Sequence, residues 1–148
     1  MYDKEREEAR KVFPFLIGWV KKTERVTPIE YGVLGKATGV HRIFRLPKTL
    51  GYIAYWWILP DRKRPFINSL VVNKDTGIPG DAFEADPDTL AKLEKRDVNG
   101  KKRLFRELQK EVYDYPHWDE IIKDLGLTET LYYCEKLVEG MVQTDKED

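Results

Sequence analysis

The sequence predicts an α+β fold that is mostly helical, on three observations. Long stretches repeat apolar residues at spacings of three and four, as in Ala9, Val12, Phe13, Leu16, Ile17 and Val20. One stretch, Phe66 to Asn73, is instead dense in branched and aromatic residues and runs into Lys74-Asp75-Thr76-Gly77, a strand followed by a turn with glycine last. A chain of 148 residues, 41% of them hydrophobic, can bury well over half of its unfolded surface, so a core forms without a disulfide or metal.

The elements follow in order. Asp3 to Lys22 reads as an amphipathic helix that Pro14 kinks or restarts. Thr27-Pro28-Ile29-Glu30 has the form of a capping box, with Thr27 as cap, Pro28 at the first helical position and Glu30 reaching back. The short helix that this predicts carries Ile29, Val33 and Leu34 and stops near Thr38-Gly39, where glycine admits the left-handed conformation. After Val40 to Leu46 and Pro47-Lys48-Thr49, a helix from Leu50 to Leu59 is apolar on nearly every side, fit for a central buried helix or a partner-binding surface.

Pro60-Asp61 ends that helix, and Arg62-Lys63-Arg64-Pro65 is a basic loop. Phe66 to Asn73 is then one arm of a β-hairpin, with Ile78 to Phe83 returning as an arm made irregular by Pro79-Gly80. Beyond Asp86-Pro87-Asp88 the chain is helical and charge-laced. The segments are Thr89 to Asp97, Lys101 to Tyr113 after a break at Asn99-Gly100, Trp118 to Leu125, and Thr128 to Val142, with Gly126 and Thr128 as stop and cap. Without repeats or a long linker, the organisation is one domain in two parts: residues 1–85, and a helical extension, 86–148, packed on it.

The formal net charge is zero, which argues against a protein that coats nucleic acid indiscriminately. Divided at residue 80, however, the sum separates. Residues 1–80 carry 15 Lys/Arg and 8 Asp/Glu, or +7, whereas residues 81–148 carry 11 and 18, or −7. Such asymmetry points to an anionic partner or to pairing of the halves within the fold. No apolar run approaches the eighteen or so residues that span a bilayer, and the first residues lack the pattern of a signal peptide, so no membrane partner is expected and the cytoplasm is the expected location.

Helix, turn, helix and strand hairpin is the order of a winged helix-turn-helix, whose second helix enters the major groove of DNA. The first helix would be Pro28 to Ala37 and the turn Thr38 to His41. The recognition segment would run from Arg42 through Lys48, or begin at Pro47 and leave Arg42 and Arg45 on the turn. Arg42, Arg45 and Lys48 recur every three residues, and a guanidinium can form two parallel hydrogen bonds to guanine or phosphate. Arg62, Lys63, Arg64 and Lys74 would hold the flanking phosphates.

Residues Thr27 to Phe83 resemble small bacterial and phage domains that join a helix-turn-helix to a motif close to Asn68-x-Leu70-Val71-Val72-Asn73-Lys74-x-Thr76-Gly77-x-Pro79-Gly80. The order of elements is also similar, more distantly, to the winged-helix domain of alkyltransferase-like DNA-binding proteins. That resemblance implies DNA binding only. The alkyltransferase nucleophile sits in a Pro-Cys-His-Arg motif, and no cysteine precedes Cys134 here.

Chemical signatures are sparse. Cys134 on an apolar helix is expected in the core, and two histidines and one thiol far apart do not make a zinc site. His41 and His117 each stand alone, as a turn residue and a helix-start neighbour. Asp75, Asp81, Glu84 and Asp86 beside a strand are the only grouping that a metal-dependent hydrolase could use. Tyr52, Tyr55, Trp56, Trp57 and Phe66 are expected as core rather than as a base-stacking surface. The expectation is a non-enzymatic protein that binds double-stranded DNA without cofactor or metal. The alternative is a protein-interaction module, such as a small phage or defence-linked inhibitor, acting through its acidic or aromatic face.

Overall fold

The computed structural model describes residues 2–147, with side-chain surroundings described as far as residue 143. Its centre is α1, Asp3–Lys22, which continues as one helix across Pro14 and is buried at every position from Val12 to Val20. This helix, rather than Leu50 to Leu59, is the buried axis of the molecule. Phe13, Phe15, Leu16 and Ile17 are essentially inaccessible, and each such side chain contributes about 1.5–3 kcal/mol relative to exposure.

On one side of α1 lies α7, Thr128–Glu147. A Cβ at Gly18 would stand 3.3 Å from the Cys134 carbonyl carbon and the Glu135 nitrogen, so the absent side chain is what lets the two backbones meet. The seam ends in ion pairs from Lys21 to Asp119 and Glu135 and from Lys22 to Glu139. Cys134 lies in the core, as expected, and burial pushes its thiol up to about 11.

On another side α1 holds a helix pair, α2 (Tyr31–Thr38) and α3 (Leu46–Tyr52); α3 continues as a π-helical turn, Ile53–Ile58. The capping box at Thr27 does not form. The Thr27 amide donates to the Tyr113 hydroxyl at 3.2 Å and the Thr27 hydroxyl to the Arg25 carbonyl at 2.7 Å. Ile29–Glu30 is therefore extended (β1) and pairs in parallel with Val71–Val72 (β2), Ile29 opposite Val71 and Glu30 opposite Val72, and α2 starts only at Tyr31.

The hairpin is likewise not formed, because its backbone donors are committed elsewhere. Ile67–Leu70 is a 3-10 turn, so only Val71–Val72 is strand. Asn73 donates to the Ile78 carbonyl at 2.9 Å, but Pro79 has no N–H and Gly80 gives its own to the Tyr31 hydroxyl at 3.2 Å. What remains is a tight loop from Asn73 to Gly77, with Gly77 at φ 74°.

The C-terminal part adds α4 (Pro87–Glu94), α5 (Val98–Asp114) and α6 (Trp118–Asp124) before α7. Asp86 caps α4 by accepting from the Thr89 amide at 3.0 Å, and Asp97 caps α5 by accepting from Gly100 at 2.8 Å. Asn99-Gly100 therefore lies in the first turn of α5 rather than at a break. Leu93, Leu104, Phe105 and Leu108 form a second small core over Phe66, Ile78 and Phe83. The molecule is α+β and mostly helical. Among the described residues no helix is long and apolar enough to cross a membrane.

Candidate functional site

The turn between α2 and α3 is built from local hydrogen bonds. Gly39, at φ 76°, ends α2 and returns its N–H to the Gly35 carbonyl at 2.8 Å. His41 then organises the next residues. Its Nδ1 accepts from the Ile43 and Phe44 amides at 3.2 and 3.3 Å, its carbonyl accepts from Arg45 and Leu46, and its ring stacks on Phe44. This histidine is a turn residue, as its isolation in the sequence suggested.

With the turn so fixed, Arg42 and Arg45 belong to it and only Lys48 rides on α3. Their spacing of three does not place them on one helical face. Arg45 is held by α1: its Nε donates to both Glu8 carboxylate oxygens at 2.9 and 3.2 Å, and Nη2 reaches Glu5 at 3.2 Å. Hydrogen bonding to Glu8 keeps this guanidinium above even its usual range. The Glu5 carboxyl lies below its ordinary value, chiefly through backbone hydrogen bonding at the helix start, with Arg45 adding to it.

Two hollows flank α3. The larger, about 840 Å³, is lined by Tyr2, Tyr52, Tyr55 and Trp56, with Lys48 among its borders and Gly51, Pro47 and Ala82 between the rings. Tyr55 and Trp56 are 51% and 56% exposed, so the expectation that the aromatics are core fails for this pair, whereas Tyr52, Trp57 and Phe66 are partly buried against the core. Trp57 does pack inward, its ring edge-on to Phe13 at 5.1 Å. The carboxylates here have partners: Glu84 accepts from the Tyr55 hydroxyl at 2.7 Å, and Glu5 accepts from Arg45.

The second hollow, about 580 Å³, shares Pro47 and Ala82 with the first, so the two adjoin. Arg42 and Lys74 line it, together with Glu30, Asp75 and Asp81. Both cations are exposed, and among the described residues neither they nor Lys48 has an ion-pair partner within 4.0 Å.

The remaining basic residues lie elsewhere. Arg62, Lys63 and Arg64 border a third hollow of about 410 Å³ with Asp86, Glu107 and Glu111, and it shares no lining residue with the first two. Arg64 is spent structurally, donating from Nη1 to the Trp57 carbonyl at 2.8 Å. Of the seven basic positions singled out in the sequence, Arg42, Lys48 and Lys74 come together, Arg45 is neutralised and the Arg62 to Arg64 loop is set apart.

The four carboxylates considered for metal chemistry disperse: Asp75 and Asp81 line the second hollow, Glu84 holds Tyr55 and Asp86 caps α4. Among the described residues no group of three or more side chains is placed to hold a metal ion. The sequence did not single out Tyr2. Its signal is faint, since one aromatic before an acidic helix start has no periodicity of its own, yet its ring lies 6.0 Å from that of Trp56.

Compared with protein-family models, curated proteins and solved structures, the chain matches none of them.

Proposed function

We propose that this chain is a helix-turn-helix protein that binds nucleic acid, double-stranded DNA included, without catalysing a reaction on it. In this reading the tight Asn73 to Gly77 loop takes over the part that the expected hairpin would have played as a wing. The reading is carried by one observation: Arg42, Lys48 and Lys74 border adjoining hollows around α3 and, among the described residues, have no ion-pair partner within 4.0 Å. An uncommitted cation attracts phosphate at no cost of breaking an internal pair, and each phosphate neutralised releases counterions. Arg45 leaves the proposed contact set and Lys48 becomes its centre.

The test is duplex affinity as a function of salt. Binding at low salt that weakens steeply as salt rises, with a shallower slope in the R42A/K48A/K74A variant, supports the reading. Undetectable binding at low salt overturns it.

A second reading, a protein-interaction module, is favoured by a different face. On α7, Tyr132 and Tyr133 are 63% and 68% exposed, with Leu137 beside them. Aromatic side chains held in water are common anchors of protein interfaces. A partner recovered from nuclease-treated bacterial lysate by the chain, and lost with Y132A/Y133A, would establish it.

A further inference from the structure

We propose that the aromatic hollow beside α3 receives unpaired nucleobases, so that the preferred ligand is single-stranded nucleic acid or a duplex with an unpaired segment. This rests on the nucleic-acid reading above and specifies its ligand.

Three of the rings cluster at the hollow. Trp56 and Tyr52 lie 6.3 Å apart with 36° between their planes, and Tyr2 lies within 6.4 Å of both, tilted by 53°. They surround a space of about 840 Å³ whose intervening residues, Gly51, Pro47 and Ala82, leave it open. That volume lies within the range of small-molecule sites and exceeds what a single aromatic side chain fills. Base stacking on aromatic faces needs no particular base, because every base has a π-face.

Charge selects the occupant. The two carboxylates of the hollow are engaged internally, Glu5 with Arg45 and Glu84 with the Tyr55 hydroxyl. Lys48 at the border forms no ion pair within 4.0 Å among the described residues, although its charge acts on Glu5 through space and Glu84 keeps its own charge, and Arg42 and Lys74 continue from it across the shared Pro47 and Ala82. Aromatic faces beside a line of cations suit a strand that presents bases on one side and phosphates on the other. Glu30, Asp75 and Asp81 in the second hollow limit how closely phosphates approach there, which puts the main phosphate contact of this proposal at Lys48. Paired bases in an intact duplex are stacked on both faces and cannot fill the hollow.

The experiment is a fluorescence titration at fixed low salt with an oligo-thymidine strand, a blunt duplex, the same duplex with an unpaired tail, and an acidic peptide containing tyrosine. The expected result is tryptophan quenching and roughly tenfold tighter binding of the strand and tailed duplex than of the blunt duplex. W56A removes that preference, W56F retains part of it, and K48A weakens all three; circular dichroism verifies that the variants are folded. Equal affinity for blunt and tailed duplex, or a preference that survives W56A, overturns the inference and leaves the nucleic-acid reading standing. No binding to any oligonucleotide overturns both, and W56A-sensitive quenching by the peptide alone assigns the hollow to a protein segment and overturns the inference.

Discussion

The seam between α1 and α7 and the groove beside α3 use the same residue types to opposite ends. At the seam, Lys21 and Lys22 are bound to Asp119, Glu135 and Glu139, and glycine at position 18 lets the backbones touch. At the groove, among the described residues, Lys48, Arg42 and Lys74 have no such partners within 4.0 Å, and Tyr55 and Trp56 stand half in water. The charge asymmetry of the chain is therefore spent in one region and retained in the other. A cation matched inside the fold gives little to a ligand, because its partner must first be displaced.

The comparison breaks most visibly in binding. R42A/K48A/K74A is expected to reduce nucleic-acid affinity at low salt on the order of tenfold to a hundredfold and to lower the salt slope by roughly two to three. R45A should change affinity less than about twofold, because Glu5 and Glu8 already hold that guanidinium. An R45A effect as large as that of K48A, measured in the same titration, would show that the clamp opens on binding.

The seam is tested through Gly18. A leucine there must push α7 away from α1, and G18L is expected to cost about 1–3 kcal/mol in chemical denaturation while leaving groove contacts in place. Next in size is the cap of α4. D86A should cost about 1 kcal/mol. Burial raises the Asp86 carboxyl, but the Thr89 hydroxyl and amide outweigh it and hold it below its ordinary value. With the folded value depressed, the cap is fully stabilising above the unfolded value of about 3.9 and is lost as pH falls through the folded one. D86N retains an acceptor and should remove that pH dependence from the denaturation midpoint.

The smallest effect is at Lys21. Desolvation opposes its charge, yet Glu135 and Asp119 together raise its value, so the pairs stabilise below the unfolded lysine range and fade as pH rises through the folded value. Its side chain is 36% exposed, so K21A should cost no more than about 1 kcal/mol. It should leave oligonucleotide affinity unchanged, which is the sharpest contrast with K48A.

Much of the candidate site was legible residue by residue but not as a group. The basic positions, the turn at Gly39 and the role of His41 could be read locally. Two features misled. The spacing of Arg42, Arg45 and Lys48 has meaning only on a helix, and His41 instead holds Arg42 and Arg45 in the turn before one. The aromatic run at positions 52–57 looked like core because hydropathy does not say which side a neighbour covers; α1 takes Trp57 and leaves Trp56 out.

By itself the sequence determined where most helices lie, the stop at Gly126 and the burial of Cys134, since spacing and helix-stop signals act within a few residues. Tertiary structure alone decided that Ile29–Glu30 pairs with Val71–Val72 instead of opening a helix, that Pro79 and Gly80 never complete a hairpin, and which cations remain uncommitted. Those outcomes depend on partners far away in the chain. Arg45 meets Glu8 across 37 positions and the Thr27 amide meets Tyr113 across 86, and only the packing of α1 against its neighbours brings such groups within hydrogen-bonding distance.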